Sequence, residues 1–192
     1  MRVGITGGIG SGKSLVGEVL QRMGYPLYCS DTRAKQLVES NLGLRQRIVA
    51  LLGAEAYTSD GRYNKPYVAK RVFSNFDLLL QLNALIHPVV AEDFGHWAAE
   101  QTARMVFLES AILFESNFNQ LVDAVVAITA PDAVRIERVM HRDSADRQHV
   151  EQRIATQMPT DELRRRANFV VENDGLQLIT PQIISILNRL SK

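Results

Sequence analysis

Residues Gly7 to Ser14, GGIGSGKS, set glycines, a lysine and a hydroxyl in the pattern G-x-x-x-x-G-K-[ST]. Such a run is a grip for clustered phosphate oxygens. Glycines let successive backbone N–H groups converge, and a helix opening just after them adds its positive end. Lys13 can follow the β- and γ-phosphates of a nucleoside triphosphate as charge moves, while Ser14 can set its hydroxyl on Mg²⁺. The expected nucleotide contacts are therefore Gly8, Ile9, Gly10, Ser11, Gly12, Lys13, Ser14 and Leu15.

Three further groups have the chemistry to act on a bound polyphosphate. Arg135, Arg138 and Arg142 stand at i, i+3 and i+7, on one face of a helix, with Arg147 and Arg153 beyond them. Such a face can close over phosphate, stabilising the charge of a transferring group and excluding water. The alternative is a solvated helix whose arginines pair with Asp132, Glu137 and Asp143. Glu109, at the end of the apolar run RMVFLES, stands where a carboxylate can reach Mg²⁺ directly or through water. Finally, LYCSDTRAK offers the single cysteine, Cys29, and a carboxylate, Asp31. No histidine or lysine adjoins Cys29 to depress its pKa, so packing at a strand end suits it better than nucleophilic chemistry. Asp31 can cap the helix beginning TRAKQLV, and a cap at the carboxyl end of a strand also faces the ligand crevice of an α/β fold.

These groups need a scaffold, and the pattern supplies one. Short β-rich runs (RVGIT, PLYC, RMVFLES, DAVVAIT, NFVVEN) alternate with helical patterns. That is the signature of βαβ units, hence an α/β fold of the P-loop NTPase type, with a parallel sheet flanked by helices. Between PLYC and RMVFLES some seventy residues carry helical patterns and little strand signal, too many for a simple crossover, so an inserted helical lobe is expected. The division expected is a nucleotide-binding core of 1–29, 105–129 and 167–192, a helical acceptor lobe of 30–104 and a lid of 130–166. TSDGRYN reads as a turn or exposed loop, Pro88 as a kink or break near His87, and Thr180-Pro181 as the cap and first position of a final helix, with Ile179 and Ile184 as its staple.

The 192 residues carry a net charge of +1, so no global field marks a nucleic-acid or membrane-surface protein. One cysteine, and no N-terminal apolar run of signal-peptide length, give a soluble, cytoplasmic protein as the expectation. Phosphate binding alone leaves the reaction open among a small-molecule kinase, a nucleotide-driven switch and an ATPase subunit of a larger machine. A switch reading guanine would want Asn-Lys-x-Asp, whereas the Asn-Lys pair here continues NKPY. Size and layout favour the kinase, with no obligatory protein partner.

Taken together, GITGGIGSGKS, SDTRAKQLV, LNALIHPVV, ESAILFES, HRD and RRANFVVENDG, in this order and spacing, resemble the dephospho-coenzyme A kinase family over nearly the whole chain. The resemblance implies transfer of the γ-phosphoryl of ATP, with Mg²⁺, to the ribose 3′-hydroxyl of dephospho-CoA, the last step of coenzyme A synthesis. It implies that Asp31 is the base that takes the hydroxyl proton, with Lys13 and Arg142 stabilising the moving charge. It further implies acceptor contacts from Lys35, His87 and Glu115. The sequence departs from the family pattern at Cys29, where an aspartate is usual, at Ala111 in place of proline, and at Asn168 in place of aspartate, a structural position. A nucleoside, nucleotide or small-metabolite kinase of the same fold is the alternative within the class.

Overall fold

Alternation of β-branched residues with a glycine in RVGIT already implies a strand with two dissimilar faces. In the computed structural model, which describes residues 1–73 and 75–191, that run is the central strand β1 (Arg2–Thr6) of a five-stranded sheet. Its companions are β2 (Leu27–Cys29), β3 (Val106–Glu109), β4 (Ala124–Thr129) and β5 (Phe169–Glu172), in the order β2-β3-β1-β4-β5. The β1–β3, β1–β4 and β4–β5 pairs are parallel, in the register Ile5 to Glu109, Ile5 to Val126 and Thr129 to Glu172. Both faces of such a sheet are covered, which is why β4 is buried at all six positions and reads as an unbroken apolar run. The helices are α1 (Lys13–Arg22), α2 (Ser30–Ser40), α3 (Leu42–Leu52), α4 (Lys65–Phe73), α5 (Phe76–Ala99), α6 (Asp132–Asp143), α7 (Arg147–Ala155), α8 (Thr160–Arg166) and α9 (Ile179–Leu190).

The chain divides into two compact units, Met1–Tyr28 with Gln101–Lys192, and Cys29–Glu100. In the first, Val3, Ile5, Phe107, Val126, Ile128 and Val171 pack against Val16 and Leu20 of α1 and Ile183, Ile186 and Leu187 of α9. Asn168 ties β4 to β5: Val125 N–H donates to its Oδ1 at 2.8 Å, and its own N–H donates to the Val125 carbonyl at 2.9 Å. Either an asparagine or an aspartate can accept in this way, consistent with the structural reading of the position. Ile136 and Val139 of α6 and Val150 of α7 form a separate small cluster against Ile9.

The second unit is a helical lobe in which α5 packs against α2, α3 and α4. Asn41 and Asn75 cap α3 and α5, accepting from Leu44 N–H at 2.9 Å and Leu78 N–H at 3.0 Å. TSDGRYN is a tight turn closed by an antiparallel bridge between Tyr57 and Tyr63. Burial and a hydrogen bond of 2.6 Å to the Val38 carbonyl fix the Tyr57 hydroxyl, whose pKa is pushed up to about 12, chiefly by burial.

Three local expectations are corrected. Helix α5 runs through Pro88 without the break expected as an alternative to a kink, and Leu82, Val89, Val90 and Phe94 are buried along it. Packing of that length outweighs the ~3 kcal/mol a proline costs a helix interior. Helix α2 opens at Ser30 with Cys29 as its cap residue, so Asp31 lies in the first turn and is not the cap. Helix α9 opens at Ile179, ahead of the expected Thr180 cap, and Ile184, the expected staple partner, is 45% exposed. Gln182 anchors that end instead, donating to the carbonyls of Glu172 and Leu178 and accepting from Glu172 N–H at 2.9 Å.

Candidate active site

The loop between β1 and α1 is shaped for an anion. Gly12 precedes α1 with φ of 98°, a left-handed conformation, and a Cβ there would meet the Asn173 amide nitrogen at 2.1 Å. Val16 N–H makes the first intrahelical bond, to Gly12 O at 3.1 Å, so the positive end of α1 opens at Gly12 to Leu15. The Lys13 ammonium arches back over the loop, donating to the carbonyls of Gly7 at 2.8 Å and Gly8 at 3.4 Å. Asn173, directly after β5 and buried, donates from Nδ2 to the Ser11 carbonyl at 2.8 Å. A cavity of about 210 Å³ opens beside the loop, lined by Gly10, Gly12, Lys13 and Ser14 and, from α6, by Arg138 and Arg142.

Ser14 Oγ donates to Glu109 Oε1 at 3.3 Å, which brings the expected hydroxyl and carboxylate together at the carboxyl ends of β1 and β3. Gly17, one turn into α1, lies close against this corner: a Cβ there would meet Leu27 Cδ2 at 2.8 Å and Glu109 Oε2 at 3.3 Å. Among the described residues, no three His, Cys, Asp or Glu side chains gather into a metal site of their own. Two oxygen donors with open neighbouring space suit a hard cation that keeps waters and phosphate oxygens as its remaining ligands, as Mg²⁺ does. The donor set fits.

The arginine face of α6 splits into three environments. Arg135 is 4% exposed and engages the loop backbone, not the cavity, donating from Nε to the Ile9 carbonyl at 3.0 Å. It also meets Gln157 at 3.0 Å and, at 2.8 Å, Asp132, a pair that the solvated-helix alternative named, although Arg135 itself is buried. Arg138 donates to the Asn173 carbonyl at 3.0 Å and to its Oδ1 at 3.3 Å, at the cavity wall. Arg142, on the cavity rim, is paired with Asp143 at 2.6 and 2.9 Å. The Arg142 guanidinium holds the Asp143 carboxyl below the usual carboxylate range.

The remaining expected residues lie as follows. Asp31 and Lys35 are exposed one turn apart on α2, with no side-chain hydrogen bond or ion pair to the described residues. The Cys29 sulfur accepts a contact of 3.4 Å from the Thr32 hydroxyl. Burial pushes the half-buried His87 imidazole of α5 below the usual histidine range. A neutral imidazole is a poor counter-charge for an acceptor phosphate. Glu115 is exposed in the turns after β3. Sequence reasoning missed Gln157 and Asn173 as loop supports; Asn173 lay inside the quoted FVVEN run, whereas nothing in the local pattern singled out Gln157.

No helix among the described residues is long and apolar enough to cross a membrane. A family model described as Dephospho-CoA kinase matches residues 1–178. The dephospho-CoA kinase of Bacteroides fragilis (strain YCH46) is 40% identical over 188 residues, covering 97% of this chain and 91% of that protein. Among solved structures, TT1252 from Thermus thermophilus aligns at a TM-score of 0.88 and 31% identity, covering 100% of this chain and 98% of that one. The dephospho-CoA kinase from Campylobacter jejuni aligns at a TM-score of 0.69 and 21% identity over 99% and 96% of the two chains, a likeness of fold. The family match spans nearly every element described, the phosphate loop, helical lobe and arginine-bearing helices alike, and on that footing the chain belongs to the dephospho-CoA kinase family.

Proposed function

We propose that this chain transfers the γ-phosphoryl group of ATP to the ribose 3′-hydroxyl of dephospho-CoA, giving coenzyme A and ADP in the cytoplasm. The observation that carries the reading is the extent of the family match, residues 1–178, which reaches far beyond the phosphate loop shared by many unrelated activities.

In this reading the loop from Gly8 to Leu15 binds the ATP phosphates, with Lys13 turning from the Gly7 carbonyl toward the β- and γ-oxygens. Ser14 and Glu109 would hold Mg²⁺, which when bound neutralises charge on those oxygens. Arg142 exchanges Asp143 for the transferring group, and the segment 130–166 closes as a lid that excludes water. Asp31 orients the ribose hydroxyl and accepts its proton late in transfer. A carboxylate is suited to that role because the hydroxyl becomes strongly acidic only as its oxygen bonds to phosphorus, so the proton can leave late and no strong base is needed. Lys35, one turn along α2, is assigned to an acceptor phosphate, and the helical lobe 30–104 to the coenzyme A moiety. Glu115 is retained as an acceptor contact, and His87 as a neutral one.

The test is ADP formation from ATP with dephospho-CoA, with adenosine monophosphate, or with no acceptor. Formation dependent on dephospho-CoA is expected. Equal rates with adenosine monophosphate would indicate a nucleotide kinase, and release without acceptor a hydrolase.

A further inference from the structure

The apex of the phosphate loop is held by a side chain that the mechanism above does not use. Gln157, between α7 and α8, accepts Ile9 N–H at its Oε1 at 2.9 Å. The same oxygen accepts from Arg135 at 3.0 Å, and Arg135 in turn donates to the Ile9 carbonyl at 3.0 Å. Ile9 N–H and C=O are thus both taken, one by an amide and one by a guanidinium, and the two holding groups are bonded to each other. We infer that Gln157 is a positioning residue for the nucleotide: with Arg135 it fixes the Ile9 backbone so that the following amides stand ready for phosphate.

Two observations carry this beyond local packing. The first is the sequence of the loop itself. A Cβ at Gly8 would lie 2.1 Å from an Arg135 terminal nitrogen and 2.9 Å from Gln157 Oε1. Position 8 is one of the four unspecified positions of the motif, so the motif alone does not call for a glycine there, whereas the closeness of the clamp does. The second is where Gln157 sits. It belongs to the segment assigned as the lid, so the part of the chain that closes over ATP and the part that grips its phosphates share one hydrogen-bonded group. Movement of the α7–α8 connection would then register directly at the Ile9 amide. A rigid apex matters because a loop that must be ordered on binding spends affinity on that ordering.

The inference rests on assigning Gly7–Ser14 to ATP, and the experiment separates the two. Wild type, Gln157→Leu and Gln157→Glu are compared for ATP dissociation constant by calorimetry without Mg²⁺ or acceptor, and for the KM of ATP and of dephospho-CoA. Folding of each is checked by circular dichroism. Leucine keeps the bulk and removes the acceptor; glutamate keeps an acceptor for Ile9 N–H and pairs with Arg135. Gln157→Leu should weaken ATP binding roughly 5- to 50-fold and raise the KM of ATP, with the KM of dephospho-CoA unchanged. Gln157→Glu should remain within about threefold of wild type. Wild-type affinity in a folded Gln157→Leu, or equal loss in both variants, would overturn the inference. If Gln157→Leu does not fold, Gln157→Glu and Gln157→Asn, whose shorter arm withdraws the acceptor from Ile9 N–H, decide it: near-wild-type binding in the first with weakened binding in the second supports the clamp, and any other pair of results refutes it. Failure of wild type to bind ATP would remove the underlying assignment instead.

Discussion

Replacing Arg135 by methionine should destabilise the nucleotide-free protein. Methionine approximates the arginine stem, so packing is largely kept while the guanidinium bonds to Ile9, Gln157 and Asp132 are lost. The Asp132 side chain is 64% exposed and rehydrates, so that pair counts for less than ~1 kcal/mol. The other two are charge-assisted bonds to part-buried acceptors, each worth ~1.5–3 kcal/mol. Removing a guanidinium that is 5% exposed also relieves its desolvation, which offsets part of the loss. A net loss of ~2–4 kcal/mol follows, or ~4–16 °C in Tm for a chain of this size. Thermal unfolding followed by circular dichroism, with no nucleotide present, reads it. An arginine that gripped phosphate would instead leave this Tm alone and weaken ATP binding only. A nucleotide-free Tm within ~2 °C of wild type would refute the loop-clamp account of Arg135.

Asp31→Asn should lower turnover by at least about two orders of magnitude with little change in the KM of ATP, and near-normal turnover would remove Asp31 from catalysis. Glu109→Gln should raise the Mg²⁺ concentration for half-maximal activity about tenfold, whereas an unchanged requirement would separate Glu109 from the metal. The hydrogen bond from Arg164, then that from Thr129, holds the Glu172 carboxyl below its usual range against the opposing effect of burial. A carboxyl lowered in the folded state stabilises above its unfolded pKa, and the contribution is lost as pH falls below about 4.5 through the lowered folded value. Glu172→Gln should therefore cost stability at pH 7 and flatten the acid limb of a Tm-versus-pH curve; parallel curves would exclude the pair as a source of acid sensitivity.

The fold was legible where the signal is local. Short β-rich runs, glycines before a helix and an overlong strand-poor stretch each depend on a handful of neighbouring residues, and they specified β1, the phosphate loop and the helical insertion. Ser14 and Glu109 could be paired in advance because both end a strand or begin the helix after it, and parallel strands put those ends on one side. Arg135 could not be read, because i, i+3, i+7 spacing gives a face but not what the face meets; its partner Ile9 lies 126 residues away. Gln157 was invisible for the same reason, at 148 residues from Ile9. Pro88 and Asp31 misled in another way: helix-breaking and capping preferences are worth a few kcal/mol at most, and tertiary packing along α5 and an early start of α2 overrode them.

The most direct test of the central claim is to identify the product. Wild-type protein with ATP, Mg²⁺ and dephospho-CoA should yield one new phosphomonoester resonance in ³¹P NMR, coupled to the ribose 3′ proton, in equal amount to the ADP formed. A phosphoryl group found at any other position, or ADP formed with dephospho-CoA recovered unchanged, would contradict the account.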